Sequence, residues 1–243
     1  MKKIIFNNGL WINNFESYSE AVNFVANRIL DGKSYIFNFL YFSCFVIQEK
    51  DSRYRNAINK SDFLFLDGIG MHLYMRTVYK IKDILNLNGT DLIPKVLEKL
   101  NNQTSKTAIA LYGAKNRVIE KTHKIFKNKY ENLNFYYYSN GYVSPDLDEL
   151  KEKSFLLIGL GTPKQEMFVQ ENYELFKKKN ITTISVGGLF DFVSGYAKRA
   201  PRWVRNVNLE WAYRMLKNPQ QHLGKNIRNL AIIKFILRDL LFK

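Results

Sequence analysis

Between residues 17 and 30 the apolar residues Ala21, Val22, Phe24, Val25, Ile29 and Leu30 recur at helical spacing, with Ser17 or Ser19 placed to cap the start. Asp31 and Gly32 end that helix. Downstream, one grammar repeats: a short apolar run, a glycine-containing turn, then an amphipathic stretch. Residues 107–112 lead to Gly113 and a helix carrying Val118 and Ile125. Residues 155–158 lead to Gly159 and Gly161 and a helix over 164–176, while residues 181–186 run into Gly187 and Gly188. The run 63–66, ahead of Asp67 and Gly68, reads as another strand.

Strands alternating with helices at this spacing predict βαβ units around a mostly parallel sheet, whose ligands bind at the carboxyl ends of the strands. The expected fold is therefore α/β, a Rossmann-like, mostly parallel sheet flanked by helices. From about residue 199 the pattern changes. Ile227, Leu230, Ala231, Ile233, Ile236, Leu237, Leu240 and Leu241 are interspersed with cations and read as helical. The division expected is an α/β domain over 1–198 and a basic helical appendage over 199–243. That appendage suits a helix lying in a headgroup layer, and equally one docked on the core with its basic face in solvent.

A chain of 243 residues fits one such domain with a small appendage, and 46% hydrophobic with 24% charged residues is ordinary for a folded protein. Lysine and arginine outnumber acids 37 to 22, a net charge of +15 that favours a polyanionic partner. No helix-turn-helix, RNP or zinc pattern accompanies the charge, so a nucleic-acid module is the weaker reading and no nucleic-acid partner is expected. The apolar start breaks at Asn7, Asn8 and Gly9, too early for a signal peptide, and the run 35–47 is interrupted by Asn38 and Ser43 and too short to span a bilayer. With Cys44 the only cysteine and expected in the core, a cytoplasmic location is the simplest expectation.

Four segments offer chemistry. Gly159-Leu160-Gly161-Thr162-Pro163-Lys164-Gln165-Glu166 places two glycines after a strand and a proline at a helix start, where free N–H groups and the helix dipole hold phosphate. Lys164 adds a point charge and Gln165 a two-way amide, although a plain strand-to-helix turn has the same pattern. Asp67 at a strand end beside Gly68 suits a general base or a helix cap. Asn88-Gly89-Thr90-Asp91 reads first as a turn and N-cap. Asp146-Leu147-Asp148 reads as a cap at a helix start and not as a metal site; His72, His123 and His222 are scattered.

In order along the chain stand Asp67-Gly68-Ile69-Gly70, Gly89-Thr90-Asp91-Leu92, Gly113, Asn140-Gly141-Tyr142, the 159–166 segment, Gly187-Gly188-Leu189-Phe190-Asp191 and Gly195. Lys198-Arg199-Ala200-Pro201, Trp203, Leu209-Glu210-Trp211 and Tyr213-Arg214 follow. This succession resembles the WecG/TagA/CpsF glycosyltransferases, family 26, which build teichoic-acid linkage units, enterobacterial common antigen and capsule. The resemblance implies an inverting transfer from a UDP-sugar donor to a polyprenyl-diphosphate-linked sugar, with no metal or other cofactor. The leading donor is N-acetylmannosamine, the alternatives being glucose, glucuronic acid or another hexose.

It further implies that Asp67 is the general base and that Gln165 and Arg214 bind the donor or the leaving diphosphate. Asn38 is expected at another strand end lining the pocket, with Gly68, Gly113, Gly159, Gly161, Lys164, Gly187 and Gly188 around the phosphates. Arg202, Lys225, Arg228, Lys234 and Arg238 are expected to meet the acceptor and an anionic membrane. The implied location is peripheral, on the inner face of the bacterial plasma membrane, with a homo-oligomer left open. The chain departs from the family pattern at Ile36, Asn86, Gln221 and Gly224.

Overall fold

The structure, a computed structural model, describes residues 1–6, 8–103, 106–201, 203, 204, 210–217 and 231–241; for Trp211, Arg214, Met215 and Lys217 the description stops at the backbone. The apolar runs become strands because a parallel sheet is covered on both faces and so tolerates unbroken hydrophobic sequence. These strands are β3 (Ile36–Leu40), β4 (Phe63–Leu66), β5 (Ala108–Gly113), β6 (Asn134–Ser139), β7 (Phe155–Gly159) and β8 (Thr182–Ser185). They pair in the order β4-β3-β8-β7-β5-β6, with every pairing parallel. The expected Rossmann-like α/β fold is the one observed.

Side chains alternate between the faces of the sheet. Phe37, Phe39, Phe65, Ile109, Leu111, Leu157 and Ile184 point to one layer, formed by α1 (Tyr18–Leu30), α5 (Gly89–Asn101), α6 (Asn116–Lys129) and α9 (Leu189–Val193). Ile36, Ala110, Tyr112, Leu156 and Ile158 point the other way, against α7 (Lys164–Glu171) and α8 (Tyr173–Lys178). On that side the edge of the sheet is covered by α2 (Phe42–Lys50), α3 (Ser52–Asn59) and α4 (Ile69–Val78), packed around Leu40, Leu64 and Leu66. β3 to β4 runs toward one edge and β5 to β6 toward the other, with β7 and β8 between them. The turns after β3, β4, β7 and β8 consequently share one rim, where ligands of such sheets bind.

Several local expectations hold. Ser17 caps α1 through its side chain, accepting from the Glu20 N–H at 3.1 Å, and Asn88 caps α5 by accepting from Asp91 at 2.9 Å. Others need correction. The helix read over 164–176 is two helices, because Asn172 leaves helical geometry and its amide donates to Phe168 O at 2.9 Å, competing with the backbone ladder. No helix starts at Asp146. Its carboxylate accepts from Asp148 N at 2.9 Å in a local turn, and Tyr137 Oη accepts from Asp146 N.

The amino terminus, read only as too short for a signal, forms a hairpin of β1 (Lys2–Ile5) and β2 (Trp11–Asn14). Its two asparagines attach it to the domain. Asn13 Oδ1 accepts from Leu64 N at 3.0 Å, and Asn14 Oδ1 from Leu85 N at 3.1 Å, so the outer edge of β4 is covered rather than left to pair with another chain.

Beyond residue 199 the described appendage comprises α10 (Glu210–Lys217) and α11 (Ile232–Leu241). Ile232 and Phe235 of α11 are buried, Phe235 edge-on to Phe42 and Phe45 with ring centroids 5.6 Å apart in both cases. Burying two such side chains contributes about 3–6 kcal/mol of docking. Tyr74 on α4 donates to Asp239, closing the contact. Arg199 clasps Asp91 at the start of α5 and also Glu210 at 3.1 Å, fastening the first part of the appendage.

Candidate active site

At the end of β4 the Asp67 N–H still donates to Leu40 O at 3.0 Å, so the aspartate leaves the sheet in register with β3. Gly68 follows with φ +82° and is the N-cap residue of α4, which has no side-chain cap bond. Asp67 is thus not the helix cap that its sequence position equally allowed. A Cβ on Gly68 would meet nothing within 4 Å, leaving open space beside the backbone. Asn86 accepts from Gly68 N at 2.9 Å and orients the turn; it is one of the positions where the chain departs from the family pattern.

The second turn follows β7. Gln165 is buried in the first turn of α7, and its amide bridges two loops: Oε1 accepts from Gly161 N at 3.2 Å and from Gly187 N at 3.3 Å. Its Nε2 donates to Glu166 Oε1 at 2.9 Å. Gln165 was expected to help bind the donor or the leaving diphosphate. Its hydrogen bonds here run to the protein, holding the loops after β7 and β8 to each other. Lys164, by contrast, is exposed at the same helix start.

The glycines expected around the phosphates divide by what a side chain would strike. At Gly113 an added Cβ would lie 2.5 Å from the carbonyl of Gly159, and at Gly159 it would lie 2.6 Å from the ring of Phe190. Those two serve close packing between strand ends. Gly161 and Gly187, at φ +75° and +53°, face open space, and Gly188 caps α9 beside them.

Asn38 is not at a strand end. It is the central residue of β3, buried, donating to Ser61 Oγ at 2.9 Å, two residues below the rim. The side chain of Arg214, and Arg202, Lys225 and Arg228 entirely, lie outside the described residues. Lys234 is exposed, whereas Arg238, expected to face lipid, is ion-paired with Glu49 at 2.9 Å and Asp239 at 2.6 Å. Cys44 is buried as expected, and burial pushes its thiol up to about 12.

Sequence reasoning missed the group that joins the two turns. Tyr41, the first residue beyond β3, is partly buried, and desolvation of its hydroxyl, with Cys44, Glu166 and Asp67 nearby, pushes that group well up. Thr162 donates to Glu166 Oε1 at 2.7 Å, and Glu166 itself is only 1% exposed. A glutamate four residues after a loop threonine was the available signal. Nothing in the sequence brings Tyr41 to that place, since the contact crosses from one strand end to another.

The site is therefore a carboxylate and an open glycine turn on one side, and on the other two loops with exposed backbone held by a buried amide. The model of the family described as "Glycosyl transferase WecG/TagA/CpsF family" matches residues 6–243. The chain belongs to this family. It is 35% identical over 194 residues, 77% of this chain and 72% of the relative, to the "N-acetylglucosaminyldiphosphoundecaprenol N-acetyl-beta-D-mannosaminyltransferase" of Bacillus subtilis (strain 168). A protein of the same name from Bacillus spizizenii (strain ATCC 23059 / NRRL B-14472 / W23) is 31% identical over 193 residues, covering 77% of this chain and 71% of that one. The chain is a glycosyltransferase, as the resemblance implied.

Among the described residues no helix is long and apolar enough to cross a membrane. One face of α11 and its neighbour α4 is nonetheless apolar and exposed: Ile233 is 60%, Leu237 55% and Leu241 78% exposed, with Leu73 of α4 at 48%. The docked reading holds for one side of α11, whose exposed side is largely apolar rather than basic.

Proposed function

We propose that the enzyme transfers N-acetylmannosamine, with inversion, from its UDP form to a polyprenyl-diphosphate-linked N-acetylglucosamine at the inner face of the plasma membrane. The observation that supports this reading is that Asp67 and the two loops stapled by Gln165 stand at the same carboxyl rim of the sheet. The relatives' names supply the acceptor and the transferred sugar. The acceptor hydroxyl attacks the anomeric carbon and its proton passes to the Asp67 carboxylate. The sugar–oxygen bond to UDP breaks, and its electron pair stays on the diphosphate. Preorganised donors stabilise such developing charge most where water is excluded. Loop N–H groups, the exposed Lys164 and the guanidinium of Arg214 are the donors in this reading, since a guanidinium can engage two phosphate oxygens at once.

The test is a donor screen, with UDP-sugars offered alongside a short prenyl-diphosphate N-acetylglucosamine and product mass as the readout. A product heavier by one N-acetylhexosamine, formed from the manno donor and not from UDP-glucose or UDP-glucuronic acid, is the expected result. A hexose or uronic acid product overturns the choice of donor. Transfer is also expected to survive EDTA, because the family resemblance implies metal independence and Asp146-Leu147-Asp148 does not stand at a strand end. Activity abolished by EDTA and restored by magnesium or manganese would refute metal independence.

A further inference from the structure

Glu166 sits beneath the loop after β7 with its two oxygens in unequal surroundings. Oε1 accepts from Thr162 Oγ1 at 2.7 Å and from Gln165 Nε2 at 2.9 Å, while Oε2 is buried without a hydrogen-bond partner among the described residues. The titratable groups facing it are Tyr41 and Cys44 from the strand end and α2, and Tyr54 from α3. All three are themselves kept neutral by burial, and none supplies a positive charge. Among the described residues, an ionised carboxylate there would have one oxygen unsolvated and the charge uncompensated, which costs several kcal/mol, whereas a protonated acid keeps its accepting oxygen and loses the charge.

We propose that Glu166 is a positioning residue of the transferase site that acts as an uncharged carboxylic acid, orienting Gln165 so that its carbonyl binds the Gly161 and Gly187 loops together. The accepting Oε1 makes the orientation definite, and a proton on the other oxygen removes the charge without altering that acceptor. With Oε1 accepting from Gln165 Nε2, the Gln165 carbonyl is turned to the two backbone N–H groups, and the amide has no equally good flipped arrangement. Burial pushes the Glu166 carboxyl above its ordinary range, against the smaller opposing effect of its two hydrogen bonds. Ionisation at high pH would therefore disturb the loops without any group in contact with substrate changing its charge. The proposal rests on the reading that these loops receive the donor's diphosphate.

The test uses Glu166→Gln and Glu166→Ala in the full chain, with UDP as the probe and thermal unfolding measured in parallel across pH. Glu166→Gln mimics the neutral acid and is expected to bind UDP like the wild type at neutral pH, whereas Glu166→Ala frees the Gln165 amide and weakens UDP binding by about tenfold. At alkaline pH the wild type should lose UDP affinity and the glutamine variant should not.

The stability arm has a definite sign. A carboxyl whose proton is held more tightly in the folded chain stabilises the fold at pH below its unfolded value, near 4.5, and that stabilisation is lost as pH rises toward the folded value. The wild type should thus fall progressively below Glu166→Gln in melting temperature from about pH 4.5 upward, then run parallel to it. A constant difference across that range, or Glu166→Gln as damaging to UDP binding as Glu166→Ala, overturns the proposal. Absence of UDP binding by the wild type at every pH would instead sink the donor reading, and the melting curves would still decide the charge of Glu166.

Discussion

Asp67→Asn is expected to lower kcat by about 10²–10⁴, the usual contribution of a positioned general base, while leaving UDP affinity within about twofold of wild type. Asparagine keeps the size of the side chain and one acceptor oxygen but cannot take the proton from the acceptor hydroxyl. The main-chain frame is indifferent to the change. Asp67 N bonds Leu40 O and Gly68 N bonds Asn86 Oδ1, and neither contact involves the carboxylate. With no side-chain cap on α4, the substitution also removes no N-cap bond. Single-turnover transfer to a short-chain acceptor, with UDP titration alongside, separates the two effects. Retention of more than about half the turnover would remove Asp67 from the role of base.

The second large effect concerns the outer face of α11. Leu237→Glu combined with Leu241→Glu is expected to reduce partition onto vesicles containing anionic lipid by at least about 10²-fold, because inserting each leucine contributes about 1.5–3 kcal/mol. Both side chains point away from the protein, so the fold and transfer to a soluble acceptor should be spared. Lys234→Glu should weaken the same partition far less, since a cation at an anionic surface contributes about 1 kcal/mol. Arg238→Glu should behave differently again. It breaks the pair with Glu49 and sets a third acid beside Asp239, so its first consequence is a lower melting temperature from undocking of α11. Vesicle flotation that is unaffected by the double leucine substitution would show that this face does not meet the membrane.

How far the sequence revealed this molecule depends on the range over which its signals act. The strands at 63–66, 107–112, 155–158 and 181–186 announced themselves because buried parallel strands are continuous apolar runs, and the glycines that follow mark their carboxyl ends. The hairpin at the amino terminus did not. Its strands are four residues each, and it is held by Asn13 and Asn14, whose bonds reach Leu64 and Leu85, 51 and 71 positions away. Asp67 and the 159–166 loop were legible as strand-end turns because their residue types and positions are local, and the family resemblance singled them out as a candidate site. That Gln165 turns inward is not local, since its partners include Gly187 N at the end of the neighbouring strand. Asn38 was placed at a strand end by the family resemblance alone, whereas it lies in the middle of β3 with its amide donating to Ser61 Oγ in the interior.

The contact between Gly113 and Gly159 bears on how tolerance to substitution should be read in this enzyme. These two strand ends meet backbone to backbone, at a separation that even a methyl group would violate from the Gly113 side. In a saturation-mutagenesis library selected for transfer, both positions should be depleted of every replacement as thoroughly as Asp67. The depletion at Asp67 would report chemistry, and that at the glycines would report whether the chain folds. Scoring the same library for abundance of folded protein would tell them apart: variants at Gly113 and Gly159 should vanish from that pool as well, while variants at Asp67 persist in it, intact and inactive.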